Sequence, residues 1–197
     1  MKRPMIILNI LMLLLISLPC YAGAPLDAVK SNVNKVLEVL RDPKLKAAPD
    51  KTVEKEKLRL IYEGMFDDVE LSKRTLARNW NSMNVAQRKE FVLLFRQVLE
   101  KAYIDKILSY TDEKIVFDRE SMLSGNQSEV PTRVVTSSKT IPISYRMIMK
   151  DGAWKVYDVV IENVSLVQNY RTQFNDILAK NTPEQLLEIL RKKVKEQ

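Results

Sequence analysis

A change of hydrophobic period constrains this chain most. Apolar residues recur at three and four from Leu26 to Tyr103, alternate in twos between Lys114 and Ile161, and return to helical spacing from Val164 onward. Helices, then strands, then helices form an α+β domain whose antiparallel sheet is covered by elements from both ends of the chain. The first helix is predicted over 25–41 from Leu26, Val29, Val33, Val36, Leu37 and Leu40, and Asp42-Pro43 ends it. After a basic, proline-containing connection, Asp50 caps a second helix carrying Leu58, Ile61, Tyr62 and Met65, and a short helical piece follows at 69–78. Asn84 with Gln87 forms a capping box for the longest helix, 85–109. Four strands are predicted: 114–117, 130–138, 141–149 and 153–161. A helix over 164–180 and another opened by Thr182-Pro183 close the chain.

Asp151-Gly152 signals a type I′ hairpin, and a two-residue turn fixes the register of its arms. Met149 then faces Trp154, Met147 faces Val156, Tyr145 faces Asp158 and Ile143 faces Val160. One sheet face becomes mostly apolar, and helices must cover it.

Composition removes much of enzymology. The 197 residues contain no histidine and one cysteine, so a Ser-His-Asp triad, a Cys-His dyad and a His-ligated zinc are excluded. Four scattered glycines build neither a P-loop nor a GxGxxG turn. No spacing of Asp and Glu suggests a metal site, and nothing marks nucleic acid as a partner.

The N-terminus reads as an export signal. Lys2 and Arg3 precede an almost unbroken apolar run from Met5 to Leu18, and Cys20-Tyr21-Ala22 offers small residues where a signal peptidase cuts. That run is shorter than the ~20 residues a spanning helix needs. Residues 1–22 are therefore expected to be a cleaved signal peptide, with Ala24 as the other cleavage site. Residues 23–197 are expected to form a single periplasmic domain. Losing Lys2 and Arg3 leaves 30 basic against 25 acidic residues, a net charge of +5, and no cysteine. Such a charge suits anionic lipid surfaces or acidic partners, or simply a soluble basic surface.

Two constellations carry chemistry. Tyr145 opposite Asp158 on an apolar face is either a buried hydrogen bond or, as in isomerases that work without histidine, an acid–base pair. The stripe Phe91, Leu94, Phe95 and Val98 is either core or the wall of an apolar pocket, which periodicity cannot separate. Tyr170-Arg171 and the tail Arg191-Lys192-Lys193 either meet phosphate groups or form solvated helix faces.

The run from Trp154 through Tyr157-Asp158, Val164-Ser165 and Asn169-Tyr170-Arg171 to Phe174 resembles the signature of the MlaC family, periplasmic phospholipid-binding proteins also described as toluene-tolerance proteins. Leu71 to Trp80, Gln87 to Phe95 and Ile143 to Arg146 resemble further family stretches in the same order. Ala77 stands where family members usually have Gly, read here as a minor helix-packing change, and 118–130 matches nothing in the family.

The resemblance implies a cystatin-like cone, with a twisted antiparallel sheet of about four strands wrapped by helices around an apolar pocket. It implies no catalysis and no cofactor, with phospholipid as cargo. It further implies a monomeric shuttle between the MCE-domain subunit of an inner-membrane ABC transporter and an outer-membrane lipoprotein complex, maintaining outer-membrane asymmetry. The expected tail contacts are Phe66, Leu71, Phe91, Leu94, Phe95, Val98, Tyr103, Tyr145, Met147, Val156, Val160, Val164, Tyr170 and Phe174. Asp158 is expected to orient Tyr145 and the helix after Val164. Three alternatives stay open: a carrier of another apolar lipid such as a hopanoid, a small isomerase or hydrolase built on Tyr145 and Asp158, and a structural adaptor of an envelope complex with a filled core.

Overall fold

The computed structural model describes residues 24–110 and 113–196. The expected signal peptide and Cys20 lie outside them. Helix α1 (Pro25–Arg41) starts on the proline that presets its first turn. The basic, proline-containing connection holds a short helix, α2 (Pro43–Ala47), capped by Asp42, whose side chain accepts from the Lys44 N–H. Helices α3 (Thr52–Met65), α4 (Asp68–Leu76) and α5 (Val85–Leu108) follow, with a 3-10 segment at Ala77–Ser82. The Asn84–Gln87 capping box that opens α5 is present in full.

Six strands follow: β1 (Lys114–Phe117), β2 (Ser121–Ser124), β3 (Gln127–Val135), β4 (Thr140–Lys150), β5 (Ala153–Ile161) and β6 (Val164–Ser165). All pair antiparallel in the order β1-β3-β4-β5-β6, with β2 also on β3. The two strands beyond the expected four have reasons to be cryptic. All four residues of β2 are exposed, so no alternation marks it. Strand β6 is two residues long and turns back through Glu162 (φ 48°) and Asn163 (φ 66°), of which only Asn is a customary left-handed residue. The expected turn at Asp151 (φ 50°) and Gly152 (φ 78°) is present. Helices α6 (Leu166–Leu178) and α7 (Pro183–Glu196) end the described chain.

Ala77 does more than adjust packing. It ends α4 at φ 49°, ψ −122°, a conformation that an L residue adopts only under strain and glycine adopts freely.

The elements settle into two apolar clusters. Helices α4 to α7 build one from Leu71, Leu76, Phe91, Phe95, Val98, Tyr170, Phe174 and the leucines of α7. The other lies on one sheet face under α1 and α3, where Val130, Met147, Trp154, Val156 and Val159 meet Val29 and Met65. Phe66 packs against both. No described helix is long and apolar enough to cross a membrane.

Candidate functional site

The register of the β4–β5 hairpin decides what faces the sheet-side cluster. Lys150–Ala153, Met149–Trp154 and Met147–Val156 pair as a two-residue turn requires. A bulge then leaves Tyr157 unpaired, so Arg146 faces Asp158, Tyr145 faces Val159, Ser144 faces Val160 and Ile143 faces Ile161. The expected Tyr145–Asp158 and Ile143–Val160 pairs are therefore absent. One inserted residue moves Asp158 and Val160 away from the Tyr145 face and brings Val159 and Ile161 onto it. The isomerase alternative loses its geometric basis with that pair.

Asp158 keeps half of its expected role. Its carboxylate is 2% exposed and accepts from the Val167 N–H (3.0 Å), the Ser165 hydroxyl (2.6 Å) and Arg146 Nη1 (3.2 Å). Ser165 in turn caps α6 by accepting from the Gln168 N–H. Asp158 thus fixes the start of α6, as anticipated, while leaving Tyr145 alone.

Tyr145 is half-buried among Val130, Met147 and Val159, and burial pushes its hydroxyl up to about 12. Its hydroxyl has no hydrogen-bond partner among the described residues. On the same sheet face Trp154 is 6% exposed, and its buried indole N–H is also unpartnered. Of these two donors only the Trp154 N–H is fully buried without an acceptor, a condition that costs about 1–3 kcal/mol.

Among the described residues, a tyrosine–carboxylate bond lies at the seam instead. Tyr62 stacks on Phe66 with centroids 4.3 Å apart and donates to Asp68 at 2.5 Å. Burial, then the Asp68 charge, raise the Tyr62 hydroxyl. Burial also raises the Asp68 carboxyl, against the opposing pull of Tyr62 and Arg96. Arg96 bridges Glu63 at 2.9 Å and Asp68 at 4.0 Å, and Glu63 also holds Arg59. The α3–α4 link is pinned to the sheet beside them, where the Asp67 N–H donates to the Val156 carbonyl.

The fourteen expected tail contacts divide accordingly. Leu71, Phe91, Leu94, Phe95, Val98, Tyr103, Tyr170 and Phe174 belong to the helical cluster. Tyr145, Met147 and Val156 belong to the sheet cluster, and Phe66 to both. Val160 and Val164 join neither: Val160 faces Ser144 beyond the bulge, and Val164 is 56% exposed in β6. Sequence reasoning missed Val29, Met65 and Val130 as members of this interlayer, whereas Trp154 lies on the apolar sheet face as expected without having been named a tail contact. Val29 was visible as part of the α1 stripe, and Trp154 as the partner of Met149. The exposed strand β2 masked the start of β3 and with it the setting of Val130.

Outside the interlayer, a concavity of about 400 Å³ lies where β4 and β5 meet α4 and α6, lined by Arg74, Arg146 and Arg171 among others. No described cluster of His, Cys, Asp and Glu is able to hold a metal ion.

Known proteins resemble this chain in sequence, and one solved structure shares its fold. The family model for MlaC protein matches residues 30–192. The intermembrane phospholipid transport system binding protein MlaC of Haemophilus influenzae is 26% identical over 119 residues, covering 58% of this chain and 56% of that protein. The chain thus aligns with a little over half the length of that relative. Toluene tolerance protein ttg2D of Pseudomonas putida is 23% identical over 162 residues, covering 81% of this chain and 75% of that protein. A phospholipid-binding protein from Ralstonia solanacearum, solved in complex with a phospholipid, superposes with a TM-score of 0.78 at 19% identity, covering 88% of this chain and 98% of that one.

Proposed function

This chain belongs to the MlaC family, and from that premise we propose that it is a periplasmic phospholipid carrier that takes the acyl tails into the interlayer between the sheet and helices α1 and α3. The observation that carries this reading is the interlayer itself. It holds apolar residues that stay half-buried (Phe66, Tyr145, Met149) and two hydrogen-bond donors without acceptors. Its fold is that of a protein solved with a phospholipid bound. A lipid supplies what the interlayer lacks: methylenes for the apolar rim and ester oxygens for the Tyr145 and Trp154 donors.

Phe66, Tyr145, Met147 and Val156 would meet the tails from the sheet side, and half-buried Leu94 and Tyr103 from the helical side. Leu71, Phe91, Phe95, Val98, Tyr170 and Phe174 would form the wall behind them. Two acyl tails hold ~30 methylenes, and exposing them to water at ~0.8 kcal/mol each would cost on the order of 24 kcal/mol. The carrier need only match a bilayer, where those groups are already dry. Small differences at each partner can then set the direction of exchange. Met147 and Met149 suit tails of varied length.

In this reading residues 1–22 are removed on export, and 23–197 act as a monomer without cofactor or catalysis. The cargo passes between the MCE-domain subunit of an inner-membrane ABC transporter and an outer-membrane lipoprotein complex. The similarity to an intermembrane phospholipid transport system binding protein supports this route. Gentle native mass spectrometry of the purified protein, followed by solvent extraction, tests the cargo. Phospholipid at a fixed stoichiometry is expected. A protein that is empty and takes up no lipid from vesicles overturns the reading, and an extracted hopanoid would reassign the cargo.

A further inference from the structure

The outer concavity does not belong to the tail site. Asp158, Arg146 and Tyr157 line it from the sheet, and the bulge that turned Asp158 away from Tyr145 is what places them there. Three guanidiniums converge on it, each held from behind. Arg171 donates through Nε and Nη2 to the Arg74 carbonyl at 3.0 and 2.7 Å. Arg74 lies 3.8 Å over the Tyr157 ring, with Nε on Glu70 at 2.7 Å. Arg146 bridges Glu129 and Asp158. Glu70 and Glu129 thus neutralise part of the charge from outside the lining, and Asp158 does so from within it.

Donors are left over. Both Nη groups of Arg74 and Nη2 of Arg146 have no hydrogen-bond partner among the described residues. Helix α6, thirteen residues long, starts at the same place, with Ser165, Val167 and Gln168 in the lining, so its N-terminal dipole adds to the field. Fixed, forked donors of this kind suit the oxygens of a phosphate group.

The rim supplies the second observation. Leu123 lines the concavity and is 51% exposed, and its neighbour Met122 is 54% exposed. Both sit on β2, the strand whose four residues are all exposed and whose pairing with β3 is interrupted between Met122 and Ser124. Aliphatic side chains standing free beside anchored guanidiniums combine the two attractions of an interfacial lipid site: apolar insertion and charge.

We propose that this concavity binds the phosphate headgroup of an anionic phospholipid resident in a bilayer, with Met122 and Leu123 entering the membrane interface beside it. The docking face is then separate from the cargo interlayer, so the protein would hold its surface to a membrane while exchanging lipid elsewhere.

Co-sedimentation of the purified protein with vesicles tests this, using phosphatidylcholine alone against phosphatidylcholine with about one-third phosphatidylglycerol, near physiological salt. Binding is expected only to the anionic vesicles. Replacing one arginine, as in Arg74→Gln, should weaken it about five-fold, the equivalent of ~1 kcal/mol per cation near the surface. The double variant Met122→Ser/Leu123→Ser should weaken it at least as much, and its two sites are exposed, so the fold should survive. Unchanged melting of each variant separates lost docking from lost structure.

Anionic binding that ignores all three substitutions would mean diffuse attraction by net charge and would overturn the proposal. Binding of millimolar inorganic phosphate without binding to vesicles would make it a free-anion site and overturn the bilayer assignment. Absence of both, with saturable binding of an acidic peptide, would make it a protein interface and overturn it too. Cargo extraction reads out independently, so failure here leaves the carrier reading standing, and the reverse also holds.

Discussion

The helical cluster around Phe95 and the sheet cluster around Met147 are equally apolar at their centres, yet they are finished differently. Thirteen buried residues of the helical cluster carry seven partly buried neighbours, whereas seven buried residues of the sheet cluster carry ten. Phe95 touches Phe91, Tyr170 and Phe174 with ring centroids 5.5, 4.9 and 5.3 Å away, two of them edge-on. These contacts lock the set ring on ring, although the Tyr170 hydroxyl has no hydrogen-bond partner among the described residues. The sheet cluster has a wide half-exposed margin and two unpartnered donors, Tyr145 and Trp154. Under the proposed function, the first region holds the fold and the second receives the acyl tails.

The largest effect expected from this contrast is on stability. Phe95→Ala removes a ring 1% exposed and should cost about 3–5 kcal/mol in denaturant unfolding. Tyr145→Phe removes no hydrogen bond within the described protein and should change stability by less than ~0.5 kcal/mol while altering lipid binding. Equal losses at the two sites would erase the distinction.

Asp158→Asn should cost about 1–3 kcal/mol, because Arg146, Ser165 and the start of α6 all converge on that carboxylate. An unchanged melting temperature would show that the junction between β5 and α6 is held by packing alone.

Ala77→Gly should stabilise the protein by about 1 kcal/mol, the reverse of the usual effect of glycine beside a helix, since it relieves the positive φ that ends α4. No gain in the denaturation midpoint would mean that the strain is absent.

The smallest effect concerns pH. Burial raises the Asp67 carboxyl, but the Lys150 ammonium and the Glu70 N–H outweigh it, so the group titrates below its ordinary value. Asp67, the hydrogen-bond partner, raises Lys150. The lowered carboxyl contributes stability that is complete above about pH 3.9 and lost as pH falls through its folded value. The raised ammonium contributes stability that is complete below about pH 10.4 and lost as pH rises through its folded value. Lys150 is half-exposed, so the link between sheet and α4 is worth no more than about 1 kcal/mol. Lys150→Met should flatten both flanks of the stability profile, and unchanged flanks would refute the link.

Legibility in the sequence follows the same division. Helices with one apolar stripe and a chemical cap were readable, as the predicted and observed spans of α1 coincide and Asn84–Gln87 closes its box. Strands packed on one face were readable too. What escaped was set by single backbone residues. The unpaired Tyr157 reassigned every partner beyond it, Glu162 at positive φ hid a turn, and β2 had no buried face to give it a period. The aromatic stripe of α5 identified apolar surface correctly but could not tell a ring-locked core from one with a half-exposed margin. That difference lies in how tertiary neighbours cover each ring.

The most direct measurement uses the chain's two tryptophans, Trp80 beside the helical cluster and Trp154 on the sheet face. The protein would be loaded with a phospholipid whose acyl chains carry bromine, and fluorescence recorded for Trp80→Phe and Trp154→Phe variants. Strong quenching of Trp154 with little change at Trp80 is the predicted result. Quenching of Trp80 with Trp154 untouched would place the tails in the helical cluster and contradict the account.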